Sequence, residues 1–466
     1  MLRFDMLRSG DTSPSQKRSR KIRPGQVLVL GFLCVILAGA VLLTLPVATA
    51  DRNSLGFLDA LFTATSAVCV TGLTVVNVGV TFSLFGQIVL LLLIQIGGLG
   101  FMTITSLLFM VVGKRISLKE RLLIQESYNL DSIQGGVRLV RNALTVTFVT
   151  EGAAAVVLAI RLIPEFGAAR GIYHAVFLAV SGFCNAGFDA LGQANSLEKY
   201  IADPVINLVI ILLITLGGMG FSVILDVLRK RRFSKLMLHS RIVLLMSGIL
   251  FLSGALLIGL LEWNNPHTLG RPGLNVPQKI LGACFQSVTL RTAGFDTIGQ
   301  GGMTPAGTLV SIILMFIGAS PASTGGGIKT TTFFIVLLSV SCMIRGKQDY
   351  NVFHRRLNEQ LMRRAVTIVA LALGLVLVDT VVISWVESLS GGAELLSDVL
   401  FEVTSAFGTV GLTTGITPTL FPVSKILIIL TMFCGRLGPL TISMALSGAA
   451  PKPDALHYPE ERLIIG

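Results

Sequence analysis

Four short stretches of this chain end alike. ALFTATSAVCVTG closes at Gly72, AVFLAVSGFCNAG at Gly187, GACFQSVTLRTAG at Gly294 and VLFEVTSAFGTVG at Gly411, with the glycines 115, 107 and 117 residues apart. Each glycine completes a tripeptide: Val70-Thr71-Gly72, Asn185-Ala186-Gly187, Thr292-Ala293-Gly294 and Thr409-Val410-Gly411. None of these side chains is an acid, a base or a strong nucleophile, so the chemistry on offer belongs to the backbone. A dehydrated cation needs oxygen ligands in place of water, and rings of backbone carbonyls supply them without titratable groups. Turning successive carbonyls to one side forces residues out of the helix and strand regions, which glycine tolerates best. A tight turn between packed helices would account for one such site but not for four that match.

The match extends beyond the glycine. Phe62, Phe177 and Phe401 stand ten residues before it and Ser66, Ser181 and Ser405 six before, whereas in the third stretch Phe285 arrives one residue late and Ser287 one early. Around each stretch the pattern is a long apolar run, a shorter apolar piece and a second long run. The first runs cover 25–47, 139–163, 242–261 and 365–388, and the second 84–112, 205–228, 308–343 and 422–447. Each is long enough to cross about 30 Å of hydrocarbon as a helix. The intervening pieces, 58–67, 173–182, 279–288 and 397–406, reach only about 15 Å as helices and should re-enter the membrane from one side. Irregular backbone at that depth must be buried or line a watery path.

These segments predict an all-α integral membrane protein of four span, half-helix, span repeats around a pseudo-fourfold pore. The divisions are a basic tail (1–24), repeat 1 (25–112), repeats 2 to 4 each with a preceding cytoplasmic connection (113–228, 229–343, 344–450), and a C-terminal tail (451–466). With 466 residues, 52% hydrophobic and 13% charged, the composition is too apolar for an ordinary soluble protein. The run from Val27 to Val47 with Ala48-Thr49-Ala50 imitates a signal peptide, but its length makes it the first span. The net charge of +12 reflects topology rather than nucleic-acid binding. Seven Lys and Arg before Gly25, six in each of Lys114–Arg141, Arg229–Arg241 and Arg345–Arg364, and Lys452 with Arg462 make 27 of the 37, whereas Gly72–Ser83 carries none. By the positive-inside bias the connections and both termini are cytoplasmic, and the protein is a multi-pass component of the inner (cytoplasmic) membrane.

Three cations interrupt apolar segments: Arg291 just before Gly294, Lys329 and Arg436 in second spans. Charge at such depth is costly and calls for a partner. Arg291 is expected to brace the loops behind the ring, with Glu402 as its candidate partner. Phe316–Lys329 reads FIGASPASTGGGIK, one proline and four glycines. Glycine costs about 1 kcal/mol and proline about 3 kcal/mol in a helix, so this span should open into a loop. Ile96–Gly100, Leu216–Gly220 and Cys434–Pro439 look milder, which predicts a break confined to the third repeat.

The motifs TSAVCVTGL, SGFCNAGFD, TLRTAGFDT and SAFGTVGL, the loop GASPASTGGGIKT, the late RLGPLT and the ending HYPEERLIIG together resemble the Trk/Ktr/HKT superfamily of potassium transporters, most of all the membrane subunits of bacterial Ktr systems. The resemblance covers nearly the whole chain after its tail. It implies potassium uptake through a selectivity filter at the four tripeptides, a homodimer in membrane lipid, and a cytosolic nucleotide-binding regulatory ring of the KtrA type. It also implies a gate under the filter made of Gly318, Ala319, Ser320, Pro321, Ala322, Ser323, Thr324, Gly325, Gly326, Gly327 and Lys329, with Arg436 beside it. Potassium is then the transported ion, nucleotide belongs to the partner alone, and no covalently bound cofactor is expected. Glycine rather than serine at position 72 favours potassium. Only Thr292 and Thr409 keep the threonine two residues before the glycine, with Val70 and Asn185 in the other repeats, so the alternative is a sodium-coupled or sodium-permeable transporter of the same fold.

An enzyme would need a catalytic constellation. The five histidines are dispersed, HExxH and Walker A motifs are absent, and Cys34, Cys69, Cys184, Cys284, Cys342 and Cys434 show neither CxxC nor a histidine pair. A proton-coupled carrier of inverted repeats fits poorly, because the repeats share one orientation and the proposed pathway is expected to hold no titratable residue.

Overall fold

The computed structural model describes residues 24–100, 136–192, 196–347, 349–391 and 394–447. Both tails, most of the connection between the first two repeats and the 101–112 end of the first repeat's second span lie outside the described residues. Among the described residues the regular structure is helical apart from one hairpin of two-residue strands, β1 (Asn351–Val352) and β2 (Arg355–Arg356), in the connection before the fourth repeat.

Each repeat begins with a long apolar helix: α1 (Pro24–Thr44), α4 (Gly136–Phe166), α8 (Leu238–Glu262) and α12 (Glu359–Leu389). Among the described residues these four contain stretches long and apolar enough to cross a bilayer unaided. Next come the short helices α2 (Phe57–Cys69), α5 (Ala168–Cys184), α9 (Val276–Thr289) and α13 (Leu396–Gly408), of 13, 17, 14 and 13 residues. Backbone carbonyls at membrane depth have no water to bond, so the point where these helices stop must be covered by protein. Their C-terminal ends are accordingly buried: Ser66 to Val70, Ser181 to Ala186 and Val403 to Val410 are all inaccessible.

The second spans of repeats two and four break as well as that of repeat three, in contrast to the expectation of a break in the third repeat alone, while in repeat one the described helix ends at Leu99. The second spans start as α3 (Leu84–Leu99), α6 (Pro204–Met219), α10 (Pro305–Phe316) and α14 (Pro422–Leu437). Proline opens three of the four, where the missing N–H is harmless. Described continuations are α7 (Phe221–Lys230), α11 (Thr330–Ile344) and α15 (Pro439–Ser447). The hinges Gly220 and Gly438 have φ of +91° and +86°, and Gly100 at the end of α3 has φ of +83°, a region that costs other residues a steric penalty. At Gly220 the two halves of the span turn by 99°. In the third repeat the hinge becomes the segment Ile317–Lys329, whose ends meet in an isolated Ile317–Ile328 bridge.

The glycines just ahead of these helix ends have a packing role that periodicity hides. A side chain at Gly97, Gly217 or Gly435 would strike the carbonyl of Val68, Phe183 or Phe407. Those carbonyls stand four residues before Gly72, Gly187 and Gly411, so three second spans press bare backbone against the same point of their half-helix.

At the outer ends of repeats three and four, buried acids tie the first span to the second. Glu262 accepts from Thr304 N (3.0 Å), Thr304 Oγ1 (2.6 Å), Asn265 Nδ2 (2.7 Å) and Thr268 Oγ1 (2.7 Å). Glu387 accepts from Phe421 N at 3.0 Å. Hydrogen bonds to a charged group are worth about 1.5–3 kcal/mol each, and orphaned donors add a penalty. Glu262→Ala should therefore cost at least about 3 kcal/mol, read as a lowered thermal unfolding temperature in detergent, with a smaller loss for Glu387→Ala. Equal unfolding of Glu262→Ala and wild type would remove this anchor from the account.

Candidate functional site

The half-helices end in one motif. Val70, Asn185 and Thr409 sit at φ +57°, +59° and +51°, and the following N–H groups of Thr71, Ala186 and Val410 return to the carbonyls of Ser66, Ser181 and Ser405, each at 2.8 Å. This is the helix-ending turn that ordinarily recruits glycine. Placing β-branched valine and threonine there costs of order 1–3 kcal/mol apiece, a strain that persists only where surroundings over-determine it. The third repeat reaches the same conformation at Thr292 (φ +69°), but Ala293 N returns to Thr289 O at 3.0 Å, four residues back instead of five. That missing residue is the late register of Phe285.

Two residues beyond each turn the four glycines meet. Their φ values are +97°, +68°, +79° and +95° for Gly72, Gly187, Gly294 and Gly411. A methyl group on Gly72 would stand 2.6 Å from the Ala186 carbonyl oxygen, and one on Gly187 2.7 Å from that of Ala293. One on Gly294 would strike the Val410 carbonyl, and one on Gly411 the Thr71 carbonyl. The contacts run from repeat 1 to 2, 2 to 3, 3 to 4 and back to 1, closing a ring. Ser66 and Ser405 support it from behind, their hydroxyls accepting from Gly72 N and Gly411 N at 3.0 Å.

On one side of the ring lies the broken segment of repeat three. Gly326 N donates to Thr409 Oγ1 at 2.9 Å, Thr324 Oγ1 to Phe183 O at 3.2 Å, and a side chain on Gly325 would collide with Thr292. The segment is also tied to repeat two: Ser320 N and Thr324 N donate to the Gly218 and Gly217 carbonyls at 3.0 and 3.2 Å, and Phe221 N donates to Ala322 O at 3.0 Å. Lys329 Nζ donates to Gly325 O at 2.7 Å. Arg436 reaches across from α14, donating to Thr324 O and to Gly97 O in repeat one. Both cations thus satisfy carbonyls freed by broken helices. Thr292 Oγ1 accepts from Asn185 Nδ2 at 3.2 Å, so the side chains two before the glycines join neighbouring repeats.

On the other side a cavity of about 670 Å³ opens above all four glycines. Charged groups line it, including Asp189, Glu198, Arg271 and Asp296. Arg271 pairs with Glu198 at 3.1 Å, and Asp296 is saturated by the backbone N–H groups of Ile298, Gly299 and Gln300 at 2.9–3.2 Å. Asp189 accepts from Leu191 N at 3.2 Å. Burial pushes its carboxyl up to about 6.

A family model described as cation transport protein, TrkH, matches residues 23–458. The chain belongs to the TrkH family of cation transport proteins. Two curated relatives agree: the Ktr system potassium uptake protein B of Bacillus subtilis, 42% identical over 96% of this chain and 97% of the relative, and the potassium/sodium uptake protein NtpJ of Enterococcus hirae, 40% identical over 97% and 99%. Among solved structures, the crystal structure of the potassium transporter TrkH from Vibrio parahaemolyticus superposes with a TM-score of 0.70, covering 92% of this chain and 86% of that one at 18% identity, a likeness of fold. These relatives are cation transporters and not enzymes.

In this TrkH-family chain two expectations about charge need correction. Arg291 does not meet Glu402. Its guanidinium donates to Ser247 O and Ser247 Oγ, both at 3.2 Å, on α8 of its own repeat, and Glu402 accepts from Thr413 and from Thr417 Oγ1 (3.0 Å). Proximity to a ring end did not decide the partner, because Arg291 continues the helical turn after α9 and faces outward from the ring. Titratable groups also stand at the mouth. The signal was present in the repeated Gly-Phe-Asp of Gly187–Asp189 and Gly294–Asp296, which periodicity alone reads as alignment.

A carboxyl with its pKa near 6 is charged at neutral pH and loses its charge as pH falls. Cation uptake from outside should therefore weaken between pH 7.5 and 5.5, by roughly threefold in apparent affinity if Asp189 attracts the ion. Asp189→Asn should bring the pH 7.5 affinity down to the acidic value and flatten that part of the profile. Isotope uptake at fixed membrane potential measures both.

Proposed function

We propose that this chain is the membrane subunit of a potassium uptake system, conducting potassium through a selectivity filter built from the backbone of residues 70–72, 185–187, 292–294 and 409–411. The closed ring of four glycines carries the reading. Four backbones meeting around one axis present carbonyls from four sides, the arrangement that replaces an ion's hydration. Half-helices whose C-terminal ends converge on the ring add partial negative charge, which favours a cation. The family and the names of the curated relatives supply the ion.

A second reading, permeation or coupling of sodium, is favoured by one observation. Val70 and Asn185 bring no hydroxyl to the inner end of the filter, and the Thr409 hydroxyl is engaged by the loop. Replacing each filter glycine by serine in turn and measuring potassium and sodium uptake in liposomes addresses both readings. The potassium filter predicts loss of potassium preference in all four variants. Wild-type preference in all four would dismiss it, and equal uptake of both ions by the unaltered protein would favour the second reading.

The gate in this proposal is the segment Gly318–Lys329. It lies against Thr292 and Thr409 and is held by hydrogen bonds to repeats two and four, so its displacement would open a path below the ring. Arg436 ties it to repeat one. Deleting Ala319–Gly326 should raise potassium flux with selectivity kept, and Arg436→Ala should raise it less. A deletion protein that inserts yet conducts more slowly than wild type would leave the segment a packing device.

The regulatory partner is a cytosolic nucleotide-binding ring, and the membrane subunit pairs as a homodimer. The observation that supports a docking platform is that two basic connections pack together. Phe233 meets Phe353 edge-on at 6.4 Å, with the Arg241 guanidinium over the Phe353 ring at 5.9 Å, and Arg231, Arg232, Arg355 and Arg356 are exposed around them. Reversing those four charges should reduce co-purification of a KtrA-type subunit while leaving membrane insertion intact. Undiminished complex formation would reduce these charges to topology.

A further inference from the structure

Glu402 sits on the half-helix α13, almost wholly buried, and its function is left open once Arg291 turns elsewhere. Its Oε1 accepts from two hydroxyls of the outer loop, Thr413 and Thr417, the latter at 3.0 Å. Thr417 Oγ1 also lies 3.1 Å from Thr413 Oγ1, and Gly415 N donates to Thr413 Oγ1 at 2.9 Å. Thr413 and Thr417 stand two and six residues after Gly411, and Thr413 lines the outer cavity. The chain leaving the fourth tripeptide is therefore held to the helix that enters it.

The third repeat builds the same brace from other residues. Gln286 stands eight residues before Gly294, the counterpart of Glu402 at nine before Gly411 once the one-residue offset of that repeat is counted. Gln286 Nε2 donates to Gln300 Oε1 at 2.7 Å, and Gln300 Nε2 donates to Asp296 Oδ1 at 2.8 Å. Asp296 and Gln300 are again two and six residues after the glycine. In repeat one the matching residue is Thr63, whose hydroxyl donates to Asp59 O within its own helix, and in repeat two it is the apolar Leu178. The coincidence of all three positions in two repeats, through different chemistry, points to a brace selected for geometry.

We propose that Glu402 is a positioning residue for selectivity: by holding Thr413 and Thr417 it fixes the strand that leaves Gly411, and with it the carbonyls of 409–411. This rests on the filter reading above. What repeat four requires at position 402 is an acceptor, since both partners there are hydroxyls that donate to it. Loss of the acceptor frees the strand to adjust to a smaller ion, which lowers discrimination more than throughput.

The test is the ratio of potassium to sodium uptake in liposomes holding the full-length protein. Glu402→Gln, whose amide oxygen accepts from both hydroxyls, should stay near the wild-type ratio. Glu402→Ala should lose about tenfold, the scale of one or two lost hydrogen bonds to a buried acceptor, while total cation flux persists. Thr413→Val with Thr417→Val should lose as much, and adding Glu402→Ala should lose no more, because the groups act as one unit. If Glu402→Ala fails to insert, the double threonine variant carries the test, with Thr417→Ser as its conservative rescue. A Glu402→Gln ratio as low as that of Glu402→Ala would overturn the acceptor role, and a wild-type ratio in the double threonine variant would overturn the brace. Gly411→Ser in the same assay separates the two levels: a wild-type ratio there discards the filter itself, whereas a lost ratio there beside an unchanged Glu402→Ala discards only this inference.

Discussion

Four backbones can meet around one axis only where none carries a side chain. The closure of Gly72 on Ala186, Gly187 on Ala293, Gly294 on Val410 and Gly411 on Thr71 is the constraint from which most other features follow. Each half-helix must stop at a set distance from the ring, and it stops by a left-handed turn even where valine or threonine must occupy it. Paying for strain in this way is possible because the turn is enclosed on all sides, leaving the chain no alternative conformation that keeps its hydrogen bonds. The second spans must also come close enough to enclose it, and Gly97, Gly217 and Gly435 allow that approach.

Closing the ring frees backbone groups inside a membrane, where each unsatisfied one costs several kcal/mol. The structure answers with polar groups drawn from neighbouring repeats. Carbonyls of the broken spans accept from Arg436, Lys329 and the N–H groups of the third repeat's loop. The loop is consequently part of the scaffold that satisfies the hinge of repeat two, while Arg436 serves the end of the repeat-one helix.

The four repeats share geometry but differ in how they secure it. Outer ends are joined by buried acids in repeats three and four, while repeat one uses backbone pairing between Thr49 and Phe82 and repeat two has Asn207 donating to the Tyr200 carbonyl at 2.7 Å. Three of the seams between repeats carry polar links away from the ring: Lys425 with Asp59 at 2.9 Å, Tyr173 with Gln87 at 2.8 Å, and Arg271 with Glu198. Symmetry is thus a property of the backbone around the axis, and side-chain chemistry behind it is free to diverge.

Periodicity, length and charge in the sequence were sufficient for the membrane class, the four repeats, the half-helices and the four glycines, because each depends on local composition or on spacing along the chain. The opening of the third repeat's second span was also legible, since proline and four glycines leave a helix no local support. Three things required the tertiary structure. Gly97, Gly217 and Gly435 look merely tolerable by propensity, and only the approach of each second span to a half-helix carbonyl shows why glycine stands there. Arg291 and Glu402 are suggestive partners in sequence, yet helix direction sends one to Ser247 and the other to Thr413 and Thr417. Asp189 and Asp296 repeat in the motif, but one is saturated by backbone donors and the other is left facing the cavity. Spacing along a chain specifies which backbone segments are equivalent, whereas the partner of a buried side chain depends on directions in space that no spacing encodes.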